Sequence, residues 1–170
     1  MGMHESCNLG DIFPADVDPQ KPALIIAHTP ESETVISYGA LQAQSHSVAR
    51  GLARAGCGRG DHIAILAANV TDYLATYLGT MQAGCISVPV NWKLPESALH
   101  HVLQDSGAKI IFADAERLAL IPADYKVVAF GDDYEAFLDP GPFEPAQMGQ
   151  DDICMFLYTS GSTGFPKGVP

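Results

Sequence analysis

The residues whose types and spacing could do chemistry lie near the end of the 170-residue chain. They form the string Tyr158-Thr159-Ser160-Gly161-Ser162-Thr163-Gly164-Phe165-Pro166-Lys167-Gly168-Val169. An apolar run, Ile153 to Leu157, precedes it and reads as a buried strand. Glycines let a backbone turn sharply and approach a ligand closely. Successive N–H groups in such a turn make a concavity for anions. The hydroxyls of Thr159, Ser160, Ser162 and Thr163 add donors, and Lys167 adds a compact positive charge suited to phosphate. Together they describe a phosphate-binding loop after a strand. The competing reading is a polar turn without a ligand, with Lys167 a solvated surface lysine. The nucleotidase loop that ends in Gly-Lys-Ser/Thr does not match, because Pro166 precedes the lysine and Gly168 follows it.

The elements that must position this loop can be followed in order. Residues 1–20 read as a leader, with a turn or two of helix ending near Pro14. Ala23–Ala27 and Thr34–Tyr38 read as two strands of a hairpin joined by a polar turn. Ser37 can cap a helix whose apolar face is Leu41, Ser45, Val48, Leu52 and Ala55, and Gly56 ends it. From there strand and helix alternate. Asp61–Ala67, Cys85–Val90, Lys109–Ala113 and Lys126–Phe130 read as strands. Between them come a helix capped by Asn69 or Thr71, with Tyr73, Leu74, Tyr77, Leu78 and Met81 inward, a helix opened by Pro95, and a short helix over Glu116–Ile121. Continuous apolar strands separated by helices predict an α/β fold, a mostly parallel sheet flanked by helices. Gly131–Asp152 reads as an exposed acidic connection with one turn near Tyr134–Leu138.

Composition narrows the function classes. Hydrophobic residues make up 47% of the chain and charged residues 17%, which fits a folded domain. The net charge of −11 argues against nucleic acid or an anionic membrane as partner. From Val127 onward Lys167 is the one cation against seven acids (Asp132, Asp133, Glu135, Asp139, Glu144, Asp151, Asp152), so a polyphosphate would meet a repulsive neighbourhood. Cys7, Cys57, Cys85 and Cys154 have no metal or redox spacing, and Cys85 and Cys154 read as buried small hydrophobes. This fits a reducing, cytoplasmic setting. The six histidines make no metal-binding pattern. No apolar run is long enough to cross a bilayer, and no signal-peptide core is present. Met1 to Ser6 matches the loose myristoylation pattern, which is too short to carry weight.

The full loop string resembles the signature of the adenylate-forming enzymes, roughly Tyr/Phe-Thr-Ser-Gly-Ser/Thr-Thr-Gly-x-Pro-Lys-Gly-Val, and each defined position is matched. The resemblance continues upstream. Tyr38-Gly39-Ala40-Leu41, Gly60 to Asn69, Ala83 to Asn91 and Leu103 to Lys109 are each similar to a segment of that family. It covers nearly all of the chain from about Lys21. The upstream segments carry turn, cap and strand-end residues rather than catalytic ones.

The resemblance implies the N-terminal part of the large domain of an adenylate-forming enzyme. Residues 21–170 would be an incomplete AMP-binding domain ending in the phosphate loop. The remainder of the domain, the mobile C-terminal domain and the coenzyme A site would lie outside it. In the family a carboxylate attacks the α-phosphorus of Mg-ATP, pyrophosphate leaves, and a thiol then displaces AMP. The resemblance assigns the leaving pyrophosphate to Ser160, Ser162 and Thr163 through their hydroxyls, to Gly161 and Gly164 through close backbone approach, and to Lys167 through charge. It sets Thr159 near the Mg2+ ion. Asn91-Trp92-Lys93-Leu94 is similar to the Asn-x-Arg-Leu of acyl-CoA synthetases, with Lys93 replacing arginine. The expected activity is therefore ATP-dependent joining of a small fatty or aromatic carboxylic acid to coenzyme A. An amino-acid adenylation domain serving a carrier protein is the enzymatic alternative, and a folding or interaction module the non-catalytic one. The 170-residue chain alone is expected to be inactive and, with an apolar surface uncovered, to self-associate.

Overall fold

The structure, a computed structural model, describes residues 8–29, 32–159 and 164–170. Strands β1 (Pro22–Thr29) and β2 (Ser32–Ser37) pair antiparallel, with Leu24 opposite Ile36 and Ile25 opposite Val35. The expected hairpin is present; Pro30 and Glu31 of its turn lie outside the described residues. β2 runs into helix α1 (Tyr38–Arg54), where Ser37 Oγ accepts a hydrogen bond from the Ala40 N–H at 3.2 Å. That bond satisfies one of the donors a helix start leaves open.

The alternating half follows as strand β3 (His62–Leu66), helix α2 (Thr71–Gln82), strand β4 (Ile86–Pro89), helix α3 (Glu96–Ser106) and strand β5 (Ile110–Ala113). A single 3-10 turn (Leu118–Leu120), shorter than the helix expected there, then leads to strand β6 (Val127–Ala129) and helix α4 (Asp132–Phe137). The four strands form one parallel sheet in the order β4-β3-β5-β6. Successive side chains of a strand point to opposite faces. Ile63, Ile65, Ile110, Phe112 and Val128 therefore pack with Val48 and Leu52 of α1 and with Tyr134 of α4. Ala64, Leu66, Val88, Ile111 and Ala113 pack with Leu99, Val102 and Leu103 of α3 on the other face. Both faces are dry, which explains why these strands read as unbroken apolar runs.

Several expectations change in detail. Helix α2 is capped at Val70 with no side-chain hydrogen bond, not by Asn69 or Thr71. Its buried surface is wider than one face: Ala75, Thr76, Gly79, Thr80 and Gln82 are buried along with Leu78 and Met81. The reason is that α2 has neighbours on several sides. On one side α1 approaches so closely that a Cβ on Gly79 would stand 2.7 Å from Val48 Cβ. On another the leader is tucked in, with Asn8 Nδ2 donating to Met81 O and Gln82 Nε2 donating to Gly10 O, each at 2.9 Å. The acidic connection is not simply exposed either. Tyr134 is fully buried, with its ring edge-on to Phe130 at 5.1 Å and to Phe112 at 6.1 Å.

The run Ile153 to Leu157 differs most. Only Met155 bridges to the sheet, in parallel with Ser87. Ile153 and Leu157 are 39% and 45% exposed, and Cys154 is half-buried. The segment lies along the outer edge of β4, so it is covered on fewer sides than a central strand.

Candidate phosphate-binding site

At the edge of β4 the chain forms a short ribbon. Strand β7 (Leu157–Thr159) pairs antiparallel with strand β8 (Lys167–Val169), setting Leu157 opposite Val169, Tyr158 opposite Gly168, and Thr159 opposite Lys167. The ribbon holds the two ends of the Gly/Ser/Thr loop together. Tyr158 and Gly168 are half-buried on its inner side, while Leu157, Thr159, Lys167 and Val169 are exposed on the outer side. Thr159 and Lys167 are thus cross-strand neighbours on one exposed face, a hydroxyl beside an ammonium at the base of the loop. Ser160, Gly161, Ser162 and Thr163 lie outside the described residues. Gly164 has φ +148°, a backbone region that a side chain disfavours. A Cβ there would meet nothing within 4 Å, so the demand for glycine at 164 is conformational rather than steric.

The inner side of the ribbon rests on α3 and on Phe156. A Cβ on Gly168 would lie 2.8 Å from Phe156 Cδ1 and 3.2 Å from Tyr158 Cζ, so only a glycine lets the strand sit this low. Tyr158 Oη donates to Asp105 Oδ2 at 2.8 Å. Burial, and then the hydrogen bond to that carboxylate, push the Tyr158 phenol above its ordinary value. His101 Nε2 donates to the Pro166 carbonyl at 3.2 Å, and its ring lies over Phe165 at 4.8 Å between centroids. Neither His101 nor Asp105 was singled out from sequence as a site residue. Their i, i+4 spacing on a helix was the available signal, since it places both on one face.

Leu157 and Tyr158, which lead into the loop, stand at the carboxyl ends of β3 and β4. A cavity of about 320 Å³ there is lined by Ala67, Tyr73, Pro89, Trp92, Leu157 and Tyr158 among others. Crevices at the carboxyl ends of strands are where open α/β sheets bind ligands. The surrounding charge is milder than composition implies. Asp139 is paired with Arg50 at 3.2 Å, and Asp152 with Arg59. Asp132, Asp133 and Glu135 belong to α4, whose Tyr134 packs with α1 on the sheet face away from α3. Among the described residues no carboxylate pairs with Lys167. Among them also, no three His, Cys, Asp or Glu side chains gather to hold a metal ion. No helix among them is long and apolar enough to cross a membrane.

A family model described as AMP-binding enzyme matches residues 14–170. A fatty acid–[acyl-carrier-protein] ligase of Streptomyces coeruleorubidus is 34% identical over 167 residues, covering 92% of this chain and 31% of the relative. A feruloyl-CoA synthase of an Amycolatopsis species is 38% identical over 139 residues, covering 80% of this chain and 28% of the relative. Among solved structures, an acyl-CoA synthetase of Brucella canis superposes with a TM-score of 0.80 at 24% identity, over 91% of this chain and 31% of that one. The chain thus spans about a third of the length of each of these three proteins.

Proposed function

Since the chain belongs to the AMP-binding enzyme family, we propose that it is part of an ATP-dependent ligase that activates a carboxylic acid as its acyl-adenylate and passes the acyl group to coenzyme A. A carboxylate oxygen of the acid attacks the α-phosphorus of ATP, the bond from that phosphorus to the bridging oxygen breaks, and pyrophosphate leaves. The thiol then attacks the acyl carbon, AMP leaves with the bonding electrons, and a thioester remains. Little covalent work falls to the protein in such a transfer; it must hold the phosphates and offset their charge.

The observation that carries this reading is the ribbon. It brings Thr159 and Lys167 together at the mouth of a loop whose sequence is otherwise hydroxyls and glycines. In this reading Lys167 is the charge for the leaving pyrophosphate, and the hydroxyls of Ser160, Ser162 and Thr163 are its donors. Gly161 and Gly164 give the backbone the conformations that aim N–H groups inward, which the φ of Gly164 supports. Magnesium would come with the ATP phosphates, as it commonly does, and Thr159 is the hydroxyl of this chain assigned to it. Bound there, it would neutralise phosphate charge.

The acid is a small fatty or aromatic one, a reading that the similarity to a fatty acid ligase and a feruloyl-CoA synthase supports. The Streptomyces relative also supports a second reading of the acceptor, the thiol of a carrier protein in place of coenzyme A. Residues 21–170 are proposed to be part of the larger AMP-binding domain, and the 170-residue chain alone to be inactive. Exposed Leu157, Phe165 and Val169 on one small ribbon support self-association of that isolated chain.

The test is acid-dependent exchange of labelled pyrophosphate into ATP. It is run on the product of the full reading frame and on the 170-residue chain, with a light-scattering mass for the latter. Exchange is expected only from the former. No exchange with a panel of fatty and aromatic acids would sink the ligase reading, and robust exchange by the short chain would sink its inactivity. A strictly monomeric mass would remove the self-association.

A further inference from the structure

We propose that helix α3 is the mount of the phosphate loop, with His101 and Asp105 as its positioning residues; this rests on the phosphate reading of the loop given above. Two hydrogen bonds straddle the loop. Asp105 takes the phenol of Tyr158, one residue inside the strand that leads in, and His101 takes the carbonyl of Pro166, one residue before the strand that leads out. A carbonyl oxygen has no hydrogen to give, so Nε2 of His101 carries the proton in this pair. The same imidazole packs against Phe165 with ring centroids 4.8 Å apart, and Phe165 stays 55% exposed on its remaining surface. One face of one helix therefore grips both limbs of the loop.

This grip differs from ordinary core packing in two ways. Asp105 is exposed and His101 only half-buried, so neither is needed to fill the interior. Both also act on the inner side of the ribbon, whereas Thr159 and Lys167 project from the outer side. His101 and Asp105 thus act through the loop rather than on a phosphate. Their effect is to raise the fraction of molecules whose loop is already in the binding-competent form, and apparent affinity scales with that fraction. A loop fixed at both ends also has less freedom to lose on binding.

The test uses the 170-residue chain, with magnesium and inorganic pyrophosphate as probe. Amide hydrogen exchange at Gly164, Phe165, Lys167 and Gly168 and an NMR titration with pyrophosphate are recorded for four variants. His101→Leu and Asp105→Ala remove the bonds. His101→Gln and Asp105→Asn keep a donor and an acceptor at the same places. Removing either bond should speed exchange at those amides and weaken pyrophosphate binding, each by roughly fivefold to tenfold, with the β3 amides and the thermal melt unchanged. The Gln and Asn variants should restore most of both. Exchange unaltered in His101→Leu and Asp105→Ala overturns the mount. Exchange that rises while pyrophosphate affinity holds overturns the positioning role alone. If the unaltered chain shows no pyrophosphate shifts up to millimolar concentrations, the phosphate reading of the loop fails and the positioning role falls with it. Should His101→Leu lower the melt, the exposed Asp105→Ala decides.

Discussion

Replacing Lys167 by alanine separates the proposed phosphate role of the loop from any role in the fold. The side chain is exposed on the outer face of the ribbon, and among the described residues it pairs with no carboxylate. Its backbone, in register with Thr159, is kept by alanine, and lysine and alanine are both weak strand formers. Surface changes of this kind cost within about 0.5 kcal/mol. A charge-assisted contact to phosphate is worth about 1.5–3 kcal/mol, and each 1.4 kcal/mol is tenfold in rate. Pyrophosphate exchange by the full reading-frame product should therefore fall by roughly 10- to 150-fold while the melting temperature stays put. An exposed ammonium is screened by solvent and salt, so the lower end applies at high ionic strength. Lys167→Arg keeps the charge and should lose less. Unchanged exchange in Lys167→Ala would refute the reasoning, and so would a loss of exchange accompanied by a collapsed melt.

Three further outcomes follow from the packing. Gly79→Ala forces a methyl to within 2.7 Å of Val48 Cβ where α1 and α2 cross, so it should destabilise the chain by about 1–3 kcal/mol; a denaturation midpoint equal to that of the unaltered chain would count against the close approach. The hydrogen bond from Lys109, which stands 2.7 Å from Asp61, holds the Asp61 carboxyl below its ordinary value of 3.8, aided by the Gly58 N–H. A depressed folded value means stability that is present above the ordinary value and lost as pH falls through the depressed one. Asp61→Asn should therefore lose less stability than the unaltered chain between pH 4 and pH 2, and parallel acid limbs would show the pair to be idle. Burial pushes the Cys85 thiol up to about 12, so iodoacetamide at pH 8 should leave it unmodified in the native chain and label it after denaturation; rapid native labelling at Cys85, read by peptide mass, would contradict that burial.

Most of the frame was legible in the sequence because its physics is local. Ile63 to Leu66 and Ile110 to Ala113 read as buried strands since both faces of the sheet are covered, and Ser37 read as a cap because its hydroxyl needs only Ala40, three residues on. What escaped depends on distant partners. Nothing near Asn8 in sequence says that its amide will be spent on Met81 and Ala146. Tyr134 sits among acids, so its burial against Phe112 and Phe130 was invisible until β6 brought them together. The residue types of the loop can be read along the chain, whereas the hydrogen bonds that tie its flanks to His101 and Asp105 cannot.

The acids counted along the chain are likewise rearranged by distant packing. Counted along the chain, seven acids crowd a single lysine. In space the sheet divides them, with α4 on the side of α1 and the ribbon on the side of α3. Layers packed on a sheet stand about 10 Å from it, so charges on opposite sides are separated by more than a screening length of about 8 Å at physiological salt. Two of the remaining acids, Asp139 and Asp152, are matched to arginines. A chain carrying −11 can in this way keep a locally receptive face for an anion. The charge that matters at the loop is the one within a few ångströms of it, and in the proposed reading that is Lys167, on the outer face with Thr159 opposite it.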